Sequence, residues 1–84
     1  MGNDIRNQLL NLIHHKLQRL AIHENEIGDS FDLVRTGLLN SLEFVDLVAS
    51  LEKMNETEID FESALEAGDF TTMGGVVKAF EKGR

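Results

Sequence analysis

Eighty-four residues, with eight Lys and Arg against fifteen Asp and Glu and no cysteine, describe one small acidic domain with room for a single core. The net charge of −7 argues against nucleic acid and an anionic membrane face, both of which select basic surfaces. The missing cysteines exclude disulfides and thiolate metal sites, so stability must come from packing Leu, Ile, Val, Met and the five Phe.

From Asn3 to about Ile22 the apolar residues Ile5, Leu9, Leu12, Ile13, Leu17 and Leu20 recur at gaps of three and four, which predicts one amphipathic helix. Asn3 or Asp4 is suited to cap it, and Leu10 lies off the stripe. The pattern fails from His23 to Thr36. Gly28, Asp29 and Ser30 are turn residues there, while Phe31, Leu33 and Val34 are too apolar for a free linker. An ordered loop pinned to the core, with a short helical turn, is expected.

A second helix is predicted from after Asn40 to Met54 or Asn55. Asn40 is a good N-cap, and Glu43 three residues later completes a capping box. Leu42, Val45, Val48, Ala49 and Glu52 follow one face, with Phe44, Leu47 and Leu51 beside it. Ile59 and Phe61 are expected to anchor a loop, and Ser63 to Ala67 to form a short helix before Gly68. A last helix from Thr71 or Thr72 to Glu81 should bury Met73, Val76, Val77 and Phe80. Gly74 and Gly75 weaken it intrinsically and would permit close approach of a neighbouring helix. No segment alternates like a strand. The expected fold is all-α, a small four-helix bundle of three main helices and one short one.

No apolar run approaches the ~20 residues needed to cross a bilayer, and the opening MGNDIRNQLLN lacks the apolar core of a signal peptide. A cytoplasmic protein without membrane insertion is the expectation. Catalysis finds little footing. His14 and His15 project about 100° apart on a helix and do not converge as ligands. No nucleophile elbow or other catalytic constellation is present, so an enzyme is not expected.

The acidity is concentrated. From Glu43 to Asp69 the acids are Glu43, Asp46, Glu52, Glu56, Glu58, Asp60, Glu62, Glu66 and Asp69, against one base, Lys53. This asymmetry suits docking of basic partners, and a merely solvated face is the plain alternative. At the head of the stretch stands Ser41. If Asn40 caps, Ser41 is the first helical residue, where the helix dipole favours an anion such as a phosphate. Its hydroxyl is either a helix-start group or a point of chemical attachment.

The whole constellation resembles the acyl carrier protein family, whose members bear a phosphopantetheine arm. The segment Asn40-Ser41-Leu42 stands where that family has Asp-Ser-Leu opening its second helix. LVRTGLL, from Leu33 to Leu39, looks like the family's approach to that motif. EFVDLVASLEK, from Glu43, looks like its acidic recognition helix, and DFTTMGGVVKAFEK, from Asp69, like its ending. Within the family, TGLLNSL looks closer to D-alanyl and other aminoacyl carriers than to fatty-acid carriers.

The resemblance implies a monomeric carrier of acyl-carrier-protein type. A phosphopantetheinyl transferase, with Mg²⁺, would attach 4′-phosphopantetheine to Ser41, and the arm would hold an acyl or aminoacyl group as a thioester. A loading ligase and downstream acyl-transfer enzymes would be the partners, recognising Asn40, Leu42, Glu43, Val45 and Asp46. One departure stands out. The family's acid before the serine is Asn40 here, which keeps the helix cap and loses the charge. That implies slower modification, a dedicated transferase, or a lost arm. The rival is an acidic helical interaction module of the same fold without a prosthetic group, in which Ser41 only helps start the helix.

Overall fold

The computed structural model describes residues 2–82. Among them the fold is all-α, with five helices: α1 (Gly2–Leu12), α2 (His14–Arg19), α3 (Ser41–Asn55), α4 (Phe61–Glu66) and α5 (Met73–Lys82). A 3₁₀ turn spans Glu24–Glu26. α1 packs against both α3 and α5. The core between them centres on Leu9, Leu51, Met73, Val76 and Phe80, all fully buried.

The single helix expected from Asn3 to Ile22 is two helices that meet at Ile13. Hydrogen bonds from Ile13 N–H to the Leu9 carbonyl and from Leu17 N–H to the Ile13 carbonyl carry the chain across the break. The cap expected at Asn3 or Asp4 lies outside the side chains described. The buried face also differs from the expected stripe. Leu10 is buried, whereas Leu12 and Leu20 are exposed. Leu10 and Leu12 flank the Ile5–Leu9–Ile13 line, Leu10 about 100° to one side and Leu12 about 60° to the other. Periodicity favours Leu12, and the positions of α3 and α5 override it. Leu20 has left the helix. There Ala21 takes the left-handed conformation, Ala21 N–H bonds the Gln18 carbonyl and Ile22 N–H the Leu17 carbonyl, which ends α2 without glycine or proline.

The loop before α3 is pinned as expected. Ile27 and Leu33 are fully buried, Phe31 and Val34 partly. Asp32 organises it. Its carboxylate accepts Val34 N–H at 3.0 Å, Arg35 N–H at 2.8 Å and the Thr71 hydroxyl at 2.9 Å. An isolated antiparallel bridge, Asp32 with Thr72, joins the loop to the segment before α5. Burial opposes ionisation of Asp32, but the hydrogen bonds from Arg35, Thr71 and Val34, with the Arg35 charge, outweigh it and lower its pKa.

α3 buries Phe44, Leu47, Val48 and Leu51, the residues read as lying beside its main face together with Val48 from that face. Leu42, Val45 and Ala49, expected to share the face of Val48, are exposed instead. Phe44 and Phe61 both pack edge-on against Phe70, with ring centroids 5.3 and 5.1 Å away, which fastens the start of α4 to α3. Asp60 caps α4 through Ser63, and its pKa is lowered by the Ser63 hydroxyl and N–H. α4 contributes no fully buried residue, and a cleft of about 470 Å³ opens beside it over Ile59, Ala64, Phe70 and Ala79.

α5 buries Met73, Val76 and Phe80 as expected, with Val77 half-buried. Its glycines meet loop segments rather than a helix. A Cβ on Gly75 would lie 1.8 Å from the Asp69 carbonyl oxygen, and one on Gly74 3.0 Å from Asp29. Gly75 is therefore required by the close approach of the Asp69–Phe70 backbone.

Candidate functional site

The start of α3 is built from both sides. Upstream, Leu38 and Leu39 are buried, and Leu39 N–H donates to the Leu33 carbonyl at 2.8 Å. Gly37 carries the chain into this segment at φ +85°, a conformation that costs glycine little. Downstream, Asn40 takes extended backbone angles and caps the helix. Its side-chain oxygen accepts Glu43 N–H at 2.7 Å, and the Glu43 carboxylate accepts Asn40 N–H at 3.0 Å. The capping box expected from sequence is present in full.

Asn40 therefore supplies the capping side chain, and Ser41 does not. Ser41 is the first residue of α3 and is exposed. Its hydroxyl sits in the first turn of a fifteen-residue helix, where unpaired N–H groups and the aligned peptide dipoles favour negative charge.

The other residues singled out from sequence divide into two groups. Leu42 is 71% exposed and Val45 45%, and Asp46 is exposed beside them. With Ser41 they form one solvent-facing arc of α3, two bare aliphatic side chains bordered by a carboxylate. Asp46 also edges a shallow groove of about 260 Å³ between α1–α2 and α3, whose walls include Leu12, Leu39 and Glu43. Asn40 and Glu43 instead spend their polar groups on the helix start.

Glu43 is held further. Lys16 on α2 places its ammonium 2.5 Å from the Glu43 carboxylate and donates to the Leu38 carbonyl at 3.3 Å. The Lys16 contact first, then the Asn40 N–H, lowers the Glu43 pKa below the ordinary carboxylate value. Sequence reasoning does not single out Lys16. Nothing in its spacing marks a contact made across a loop more than twenty residues long.

The wider acidic stretch is partly committed as well. Glu52 accepts Ile59 N–H at 2.8 Å and Asp60 caps α4, whereas Glu56, Glu58, Glu62, Glu66 and Asp69 are exposed. The Asp60–Ser63 cap is absent from the sequence reading, although an Asp three residues before a Ser is a local signal that could have found it. His14 and His15 are both exposed, with ring centroids 6.1 Å apart, and no group of three or more potential ligands converges among the described residues. No helix among these residues is long and apolar enough to cross a membrane.

No family model matches the chain, and no curated protein or solved structure matches it.

Proposed function

We propose that the protein is a carrier of acyl-carrier-protein type that bears 4′-phosphopantetheine on Ser41 and presents an acyl or aminoacyl group to partner enzymes. One observation carries the reading. Ser41 is exposed at the N-terminus of α3, and Asn40 has taken over the capping that would otherwise account for a serine there. The order of elements supports it: helix, long pinned loop, helix beginning at the serine, short helix, final helix. The first of these is split at Ile13, which leaves that order intact.

The residues present fit the arm. Its phosphodiester would lie at the positive end of the α3 dipole. Glu43, the carboxylate nearest to Ser41 along the chain, is ion-paired to Lys16, which reduces repulsion of that phosphate. Attachment forms a bond from the Ser41 oxygen to phosphorus and releases adenosine 3′,5′-bisphosphate from coenzyme A, with the hydroxyl proton passing to the transferase. Once bound, the arm supplies the thiol that this cysteine-free chain lacks and holds the cargo as a thioester.

The chain's own part is presentation. Leu42 and Val45 offer apolar contact beside Ser41, and Asp46 offers charge to a basic partner surface. Phosphopantetheinyl transferase, a loading ligase and acyl-transfer enzymes are the proposed partners, and the carrier itself catalyses nothing. A cytoplasmic monomer is the proposed form.

A second reading is favoured by Asn40. An acid at that position would cap equally well, so its replacement by a neutral amide fits an interaction module that has no arm. Intact mass before and after incubation with coenzyme A, Mg²⁺ and a broad-specificity phosphopantetheinyl transferase separates the two. A gain of one phosphopantetheine, absent in Ser41→Ala with an unchanged circular dichroism spectrum, is expected. No gain with several transferases would leave the interaction module as the better account.

A further inference from the structure

The geometry points to Lys16 as the positioning residue for Ser41, a clamp that sets how the start of α3 is presented to the modifying enzyme. This rests on the carrier reading above.

Ser41 lies at a junction between two separately anchored pieces of chain. Before it, Leu38 and Leu39 are fixed by burial and by the Leu39–Leu33 hydrogen bond. After it, the reciprocal Asn40–Glu43 bonds fix the first turn of α3. Neither anchor spans the Leu39–Asn40 peptide; buried Phe44, whose N–H bonds the Asn40 carbonyl at 2.9 Å, holds the far end of the turn, and what is left to restrain is fraying of its exposed start. Lys16 does span that peptide. One ammonium reaches the Leu38 carbonyl on the near side and the Glu43 carboxylate on the far side. Glu43 passes the restraint on to Asn40 through the Asn40 N–H. Residues 38, 40 and 43 are thereby tied to α2, and Ser41 is bracketed by them.

The energetics suit positioning better than stabilisation. The Lys16 and Glu43 side chains are 34% and 38% exposed, and ion pairs so open to water contribute little to global stability. A lysine ammonium has three donors, and two of them here meet acceptors on opposite sides of one peptide link. Partner enzymes would meet an ordered serine and would not have to select it from a frayed helix start. If the presented state were populated only in part, apparent affinity would fall by that fraction.

The experiment compares wild type, Lys16→Met and Lys16→Arg. Amide hydrogen exchange at Asn40 and Glu43, whose N–H groups are hydrogen-bonded, is read in the unmodified chain. Steady-state modification is read with coenzyme A, Mg²⁺ and a broad-specificity transferase. Exchange at Leu51, deep in the core, serves as the control for folding.

In Lys16→Met, exchange at the α3 start should rise about threefold to tenfold, as loss of one part-exposed ion pair and one hydrogen bond implies, with Leu51 unchanged. KM for the carrier should rise by a similar factor while kcat holds. Lys16→Arg, which keeps charge and donors, should recover most of both. If Lys16→Met loses protection at Leu51, Lys16→Gln, which keeps a donor for Leu38, replaces it in the same comparison. Unchanged exchange at the α3 start, or faster exchange with unchanged KM, overturns the role of Lys16. A wild-type chain that never takes the arm is a different failure. It needs no variant to see, and it removes the carrier reading together with this one.

Discussion

Gly75→Ala sets two physical effects against each other. Alanine favours a helix over glycine by about 1 kcal/mol, so propensity alone predicts a more stable α5. The added Cβ, however, would stand 1.8 Å from the Asp69 carbonyl oxygen, 2.6 Å from its carbonyl carbon and 2.9 Å from the Phe70 Cα. All three atoms are backbone, so no side chain can rotate away. Restoring ordinary contact needs a shift of roughly 1.5 Å in the segment that seats Phe70. Overpacking costs about 1–3 kcal/mol, and a clash with backbone belongs at the upper end. The net expectation is a loss of about 2 kcal/mol, or roughly 8–16 °C in Tm for a domain of this size. Far-ultraviolet circular dichroism melts and urea titration measure both. Gly74→Ala is the internal control. Its Cβ meets only Asp29 in an exposed turn, at 3.0 Å, so its effect should stay within about 1 kcal/mol of zero. A Gly75→Ala protein that melts at or above wild type would refute the packing of α5 on Asp69 and Phe70.

Other outcomes follow from the α3 start and its charges. Asn40→Ala should cost about 1 kcal/mol through the lost cap, whereas Asn40→Asp should keep the cap, raise stability slightly and speed attachment of the arm to Ser41. Equal modification rates for wild type and Asn40→Asp would show that the missing charge is immaterial. Asp46→Lys should weaken binding of a basic partner at low salt without moving Tm, and Glu43→Lys should also disturb the helix start, because Lys16 then faces a like charge. Matching affinities for wild type and Asp46→Lys would remove Asp46 from the docking face. Asp32 and Glu43 have lowered pKa values when folded, so the stability they contribute is complete above the unfolded carboxylate range, about pH 4, and is lost as pH falls through their folded values. Relief of net negative charge acts the other way, so the check is local. The amide shifts of Asn40 and Arg35 should titrate below the range of free carboxylates, and midpoints at the ordinary value would contradict the hydrogen bonds that hold these groups.

What the residues alone determined is largely the local chemistry. The Asn40–Glu43 box, the end of α3 at Asn55 and the seat of the loop on Leu33 depend on groups within a few positions of one another, and such interactions are written in spacing. The same holds for the placing of Ser41 at a helix mouth. Periodicity also located the helices, but it did not decide the buried side of each. Leu10 went inward and Leu12 outward, Phe44 and Leu51 inward and Leu42 and Val45 outward, because α1 must meet α3 and α5 together and a helix with apolar residues over a wide arc fits more than one orientation. Only the tertiary structure decided that the apolar pair beside Ser41 faces solvent, that Gly75 answers to a loop, and that Lys16 reaches across to both flanks of the serine. Each of these depends on contacts between residues far apart in the chain, and the direction in which two elements meet is set by the packing of the whole core, which no single segment carries.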